Sequence, residues 1–337
     1  MLTFSTSTIA NWLVSLLSSA SIVKQAEGLA AYAIGVAILI MAFAYFLGWL
    51  ERKIIAKVQA RHGPTVVGKY GLLQNLADFM KLLAKSNFFP KSSDKLLFAV
   101  ALPAMLALSI FLILLLPLTP STGIGNMANG LLIVFALFAF MPLLIFINGI
   151  ASGNKFGEIS AQRSVIMMMS YEIPMLIVIA SIGMLARSYD LVNIVESQAH
   201  IWYIFLMPLG FFVFFVAMLA ELERSPFDLR EADSELIAGW LTDVSAPYYT
   251  LALFLDYTKM FLGSLIVVIL FFGGWSGYGL LPVFWLVVKA LIFAIFVMLL
   301  RATAVRMKLD RLLRLGWLAL MPLALINLIV AYLLFVM

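Results

Sequence analysis

Seven carboxylates lie between Glu221 and Asp243 in the segment ELERSPFDLREADSELIAGWLTD, directly after an apolar run long enough to cross a bilayer. Carboxylates held near a membrane can exchange protons or bind cations, but charge there is costly. Anionic lipid also disfavours acid at its surface unless protein surrounds it. Further charges sit inside apolar runs: Glu172, Asp256, Lys259 and Lys289. Translocon scales put such a residue near mid-bilayer at about 2.5–3.5 kcal/mol, so it pairs or faces a water-filled path. Asp256 and Lys259, three apart, can satisfy each other on one helix face, whereas Lys289 can reach another carboxylate or snorkel to the interface. Glu172 has no basic residue within a turn. Burial raises a carboxyl pKa, so a buried acid of this kind can respond to nearby charge by taking or releasing a proton.

The acidic segment carries its own helix signals. Ser225 suits an N-cap, Pro226 the first helical position and Asp228 the capping-box carboxylate, with Gly239 as a stop. Helical spacing puts Leu229, Ala232, Leu236 and Trp240 on one face and Asp228, Glu231 and Glu235 on another. That acidic face is either solvated or enclosed by protein.

The elements that must position these groups are membrane helices. The 337-residue chain is 64% hydrophobic and 12% charged, outside the range of soluble domains. Apolar runs near 29–50, 96–118, 130–150, 165–185, 201–220, 248–272, 280–300 and 315–336 predict an all-α, polytopic protein with eight transmembrane helices. Without internal repeat, low-complexity tract or soluble domain, it reads as one membrane domain over 1–337. The connections 51–95, 151–164, 221–247 and 301–314 hold every Lys and Arg except Lys24, Arg187, Lys259 and Lys289. The positive-inside rule puts these connections in the cytoplasm and both termini outside, in a cytoplasmic (inner) membrane. The formal charge of +5 is thereby explained by orientation, and no nucleic acid is implied. Absence of cysteine excludes thiolate-ligated metal in this chain, and His62 and His200 fall on opposite sides, so no metal site is expected. The stretch 1–22, apolar from Ile9 to Leu17 and without an early basic region, reads as a short re-entrant or surface helix. In the first connection, glycines at 63, 68 and 71 break regular structure. Leu72, Leu76, Phe79 and Leu83 then share a helical face opposite Gln74, Asp78, Lys81 and Lys85, an amphipathic helix ended by Pro90 and suited to the headgroup layer.

Three separated motifs stand in register along the chain. The first comprises ERK at 51–53, Gln59, Arg61, Gly63-Pro64, Gly68, GLLQ at 71–74, Ala77-Asp78 and Lys81-Leu82. The second is Arg163 with SYE at 170–172. The third is Glu221, Arg224, PFD at 226–228, Glu231-Ala232, SEL at 234–236 and Ala238-Gly239. Together these motifs resemble the membrane-arm junction (H) subunit family of respiratory NADH–quinone oxidoreductase, or complex I. The resemblance implies a subunit of an oxidoreductase with no redox centre and no activity of its own. It would form the membrane side of a chamber where quinone meets electrons from iron–sulfur clusters in peripheral partner subunits. It would also begin a carboxylate path toward antiporter-like membrane subunits. By position it assigns Glu172, Glu221, Glu223, Asp228, Glu231, Asp233 and Glu235 to the proton path and its coupling loop. Glu51, Arg52, Lys53, Gln59, Arg61, Asp78, Lys81, Arg163, Arg224 and Phe227 would belong to the chamber or the partner interface.

Some residues depart from the usual respiratory pattern. Arg230 stands at a customary proline, Asp233 at a glutamate, Asp243-Val244 at Glu-Tyr, Glu223 at an uncharged residue, and Glu158 in KFGEISAQRS at an apolar one. These point toward the equivalent subunit of membrane-bound hydrogenases, with hydrogenase-like peripheral partners, or of ferredoxin- or coenzyme-dependent dehydrogenases. A free-standing secondary transporter is a more distant alternative, since such proteins show repeats and paired broken helices.

Overall fold

The structure, a computed structural model, describes residues 20–120, 128–230, 233–277 and 281–336, and the side chains of all of these except 20–31, 233 and 234. The chain forms two compact units, Met1–Met41 and Ala42–Met337. The first holds the start of helix α1 (Ala20–Val58), and the second holds every other described element. Of the segment expected at 1–22, residues 1–19 lie outside the described residues.

Every regular element among the described residues is helical. Long apolar runs without water force this outcome, because only a helix satisfies its backbone groups within one segment. Among the described residues, seven helices are long and apolar enough to cross a membrane. They are Tyr32–Val58 within α1, α3 (Lys95–Leu115), α4 (Gly130–Ala151, with a turn at Ala139), α5 (Lys155–Ala186), α7 (Ala246–Phe271), α8 (Pro282–Thr303) and α9 (Leu309–Val336). The run at 201–220 differs in construction. A single turn at Tyr203–Leu206 is followed by the shorter apolar helix α6 (Pro208–Glu221). Pro208 occupies the first turn, where its missing N–H costs nothing and its ring excludes a continuous helix from the preceding residues. Fourteen residues reach about 21 Å, so α6 alone is shorter than the ~30 Å hydrocarbon layer. The integral membrane character read from composition therefore rests on seven full helices and one broken, shorter one.

Helix α7 is central: 78% of its apolar window is buried, against 22% for α9. It packs on α3 and α8, while α5 packs on α4, α6 and α9. The amphipathic helix expected in the first connection is α2 (Gln74–Leu83), which lies against α7 and keeps Leu76, Phe79, Met80 and Leu83 exposed.

The acidic connection does not form the continuous helix that its caps predict. Residues 222–230 run through turns, and the described regular pieces are Asp233–Leu236 and a 3-10 turn at Gly239–Leu241. A positive φ angle at Ile237 breaks the helical path. Ion pairs to four other elements, described below, replace the solvated face that local capping would have given, and such tertiary contacts outweigh propensities of a few tenths of a kcal/mol per residue. The apolar half of the pattern survives: Leu229, Leu236 and Trp240 are buried, and Trp240 packs with Leu102, Met105, Ile145, Ala252 and Leu255 between α3, α4 and α7. This plug fixes one end of the connection to the bundle.

Candidate functional site

The four Lys/Arg-rich connections gather at one end of the bundle, and the acidic connection is their hub. Arg224 donates to Glu51 at 2.9 Å, Arg163 to Glu235 at 2.6 Å, Asn154 to Asp243 at 2.8 Å and Arg306 to Asp228 at 3.1 Å. Backbone contacts reinforce the set: Met307 N–H donates to the Pro226 carbonyl at 3.0 Å, and Asp94 N–H to the Ala151 carbonyl at 2.9 Å.

Glu51 sits where α1 leaves its apolar run and is 3% exposed. Its Oε1 accepts from Arg224 and also from Arg301 on α8. The Tyr257 ring of α7 lies 5.6 Å from the Arg224 guanidinium, and its hydroxyl hydrogen-bonds Glu51. One carboxylate thus ties three helices to the connection. Shared charge offsets the desolvation of each member, and removing any one leaves the others buried beside an incomplete set.

A second buried group lies at the start of the connection. Glu223 pairs with Arg230, and Lys259 of α7 stands 3.7 Å from the same carboxylate oxygen. The Arg230 guanidinium covers the Trp240 ring at 4.7 Å, and its carbonyl accepts from Ser160 Oγ of α5 at 2.8 Å. Gly239, at φ +56°, lets this carbonyl approach: a Cβ there would lie 2.0 Å from the Arg230 oxygen. Glu221 is 4% exposed at the end of α6, and its Oε1 has no hydrogen-bond partner among the described residues. The carboxylate hydrogen-bonds the buried Tyr171 phenol of α5 and feels Glu172, which is half-buried on the same helix. Asp256 of α7 is within electrostatic range of Arg224, Arg230, Lys259 and Glu223. In the series Glu51, Arg224, Asp256, Glu223, Glu221 and Glu172, each group lies within electrostatic range of the next.

Two expectations for intramembrane charge are corrected by this geometry. Lys259 does not pair with Asp256 but reaches Glu223, because the connection folds inward over α7. Among the described residues, Lys289 meets no carboxylate. Its Nζ donates to the carbonyls of Phe272, Gly274 and Ser276 at 2.8, 3.0 and 2.8 Å, 5.0 Å from the Trp202 ring centroid. Carbonyls at the end of α7 have no intrahelical donors, and a cation there also suits the helix dipole.

The remaining residues divide between an open cleft and its supports. A cleft of about 470 Å³ is lined by Arg52, Ile55, Arg61, His62, Gly63, Pro64, Thr65, Val66 and Gln74. Arg61 is oriented by Gln59 at 2.7 Å, and Arg52 by Asp78 at 2.6 Å, with Gln74 also donating to Asp78 at 3.0 Å. Gly71, at φ +72°, makes the loop possible, since a Cβ would meet the Pro64 carbonyl at 2.2 Å. Lys81 is exposed on α2 and Lys53 half-buried on α1, both outside the lining. Glu51, Arg224 and Phe227 are buried away from the cleft, and Phe227 lines a small void with Tyr171 and Gly316 instead. Asp243 joins Asn154. Glu231 lies outside the described residues, as does the Asp233 side chain. Among the described residues, no group of three or more His, Asp or Glu is placed to hold a metal ion.

Partial burial raises the Asp78 carboxyl, but hydrogen bonds from Arg52 and Gln74 and the charges of Arg52 and Lys81 outweigh it and hold the pKa below its usual value. A depressed folded-state pKa gives stability that is present above the unfolded-state value of about 3.9 and lost as pH falls through the folded one. Acidification below about pH 4 is expected to speed hydrogen exchange in 74–83 more in the native chain than in Asp78→Asn. The effect stays within about 1 kcal/mol because the pair is solvent-screened. Equal pH responses in both chains would contradict it.

Arg230, Asp256, Lys259, Tyr171, Tyr257, Arg301 and Arg306 complete the site, although the sequence pattern does not select them as site residues. Asp256 and Lys259 carried a signal as intramembrane charges, and Tyr171 lies inside the SYE motif. Arg301 and Arg306 look like ordinary orientation charges until their partners are seen.

Known proteins share this pattern. The profile of a family described as NADH dehydrogenase matches residues 31–332. A Rhizobium meliloti protein, the second of its NADH-quinone oxidoreductase H subunits, is 39% identical over 85% of this chain and 90% of its own length. The NADH-quinone oxidoreductase H subunit from a Geobacillus species is 37% identical over 89% and 92%. The F420H2 dehydrogenase H subunit of Methanosarcina acetivorans is 36% identical over 88% and 91%. A helical membrane bundle with charged connections joined at one end, matched along nearly its whole length, belongs to the NADH dehydrogenase family of membrane subunits.

Proposed function

We propose that the chain is the junction subunit of a complex I-like, ion-translocating oxidoreductase, joining a peripheral electron-transfer arm to a pumping membrane arm. The chain is read as a single membrane domain with no activity of its own. One observation carries the proposal: charges of the acidic connection turn inward and pair with Glu51, Lys259 and Arg306, when a solvated face would turn them to water. A connection held by several exchangeable ion pairs has alternative arrangements of similar energy, and a charge change nearby selects among them. Glu221, Tyr171 and Glu172 then give the displaced charge a route into the membrane.

The cleft suits the membrane side of a quinone chamber. Its size falls within the usual range for ligand sites, roughly 300–1,000 Å³. Arg52, Arg61, His62 and Gln74 offer polar groups for the two carbonyl oxygens of a quinone, and Ile55, Pro64 and Val66 offer apolar surface for its ring. A bound quinone would supply a two-electron acceptor, with iron–sulfur clusters in peripheral subunits as its source. The chain's own residues would orient the head group and hold counter-charge around it. The distribution of Lys and Arg supports a cytoplasmic position for this end of the bundle and outer positions for both termini, in the cytoplasmic membrane.

The test is electron transfer by the purified intact complex, with its peripheral and antiporter-like partners, in liposomes. Quinone-dependent oxidation of NADH, blocked by a quinone analogue, is the expected result. Turnover that ignores both quinone and analogue would overturn the quinone assignment. A second reading keeps the junction role but changes the donor, as in the F420H2 dehydrogenase relative. The observation favouring it is that two departures from the usual respiratory pattern, Glu223 and Arg230, pair with each other and so form one coordinated change.

A further inference from the structure

We propose that Arg230 and Lys259 are positioning residues that set how many carboxyls of the buried cluster carry protons, each cation standing in for a proton that Glu221, Glu223 or Asp256 would otherwise hold. The inference deepens the proton-path reading and rests on it for its functional meaning.

The two cations are built into the site. The Lys259 side chain is 3% exposed on the most buried helix, and the Arg230 side chain is 2% exposed. Arg230 is fixed three ways: to Glu223 by charge, to Trp240 by its ring face, and to Ser160 through its carbonyl. Neither can turn to water without dismantling these contacts. Around them stand Glu221, Glu223 and Arg224 from α6 and the connection, Tyr171 and Glu172 from α5, and Asp256 from α7, with Tyr257 of α7 against Arg224. Glu51 and Arg301 lie behind Arg224. A carboxylate without water is tolerable beside a cation and otherwise favours the protonated form. Loss of one cation from such a set is therefore compensated most cheaply by retention of one proton. The same arithmetic applies within a working cycle. When a rearrangement of 222–230 separates Arg230 from Glu223, the cluster takes up a proton. When the pair re-forms, that proton is released along Glu221 and Glu172.

The experiment compares infrared difference spectra of the purified intact complex at neutral pH, read at the protonated-carboxyl stretch. Lys259→Met is expected to gain one protonated carboxyl per complex relative to the native protein. Adding Glu223→Gln to Lys259→Met should return the count to the native value, and Lys259→Arg should leave it unchanged. If Lys259→Met does not assemble, Arg230→Gln is read in the same way, with the same gain expected and the same reversal by Glu223→Gln. No gain in the assembled single variant, or a gain that Glu223→Gln leaves untouched, overturns the proposal. The spectra require no pumping, so a complex that shows the gain yet energises membranes independently of Glu221 and Glu172 would sink the proton-path reading alone.

Discussion

Replacing Glu51 with alanine is expected to destabilise the assembled subunit by about 3–5 kcal/mol, the usual result of removing one partner from a buried ion-pair set. Its carboxylate is the common acceptor of Arg224, whose side chain is 9% exposed, and of Arg301. Three helices and the acidic connection lose their shared counter-ion together. Glu51→Gln keeps a hydrogen-bond acceptor without the charge and should fall between the two. Retention of the subunit in the complex under heating or detergent challenge reads the order directly. If Glu51→Ala survives as well as the native chain, the buried network does not hold the connection.

Gly239→Ala should be nearly as damaging, although it removes no contact and changes no charge. A left-handed φ of +56° costs a residue with a Cβ about 1–2 kcal/mol. The new methyl would also lie 2.0 Å from the Arg230 carbonyl oxygen and 2.8 Å from Ser160 Oγ, so backbone must shift. Relief by moving residues 230 and 239 apart pulls Arg230 from Ser160 and loosens its pair with Glu223. With the cost of overpacking, the total is on the order of 3 kcal/mol. The specific signature is increased proteolysis of 222–241 while the long helices stay intact. A fully native digestion pattern would show that the close approach at Gly239 is unimportant.

Much of the fold was legible because bilayer crossing imposes a coarse rule on sequence. The runs at 96–118, 130–150, 248–272 and 280–300 became helices near those limits, since nothing else satisfies their backbone, whereas 165–185 is the later part of a helix that begins at Lys155, inside the expected connection 151–164. At 201–220 the rule gave a correct apolar segment but missed its break at Pro208, because summed hydropathy is blind to one absent donor. The acidic connection was harder. Its caps and 3.6-residue period are real, and its apolar face is buried as the period implies, yet Glu223 and Asp228 take partners from distant helices and connections. No local pattern encodes a partner so far along the chain, such as Lys259 for Glu223 or Arg306 for Asp228. Lys289 shows the same limit: its acceptors are backbone carbonyls, which every residue carries and no sequence distinguishes. Within the site, Arg52, Arg61 and Gln74 line the cleft and Asp78 accepts from Arg52 and Gln74 beside it, whereas Phe227 and Arg224 turn into the protein and away from the cleft.

Coupling of electron transfer to ion movement requires a continuous electrical link between the connection and the membrane-embedded acids. Its most direct test is the ratio of ions moved to electrons transferred, measured in liposomes with the purified complex carrying Glu221→Gln, Glu172→Gln and Asp228→Asn together. Electron transfer that continues at a reduced rate while the membrane stays unenergised is the predicted result. A native ratio in that triple variant would contradict it.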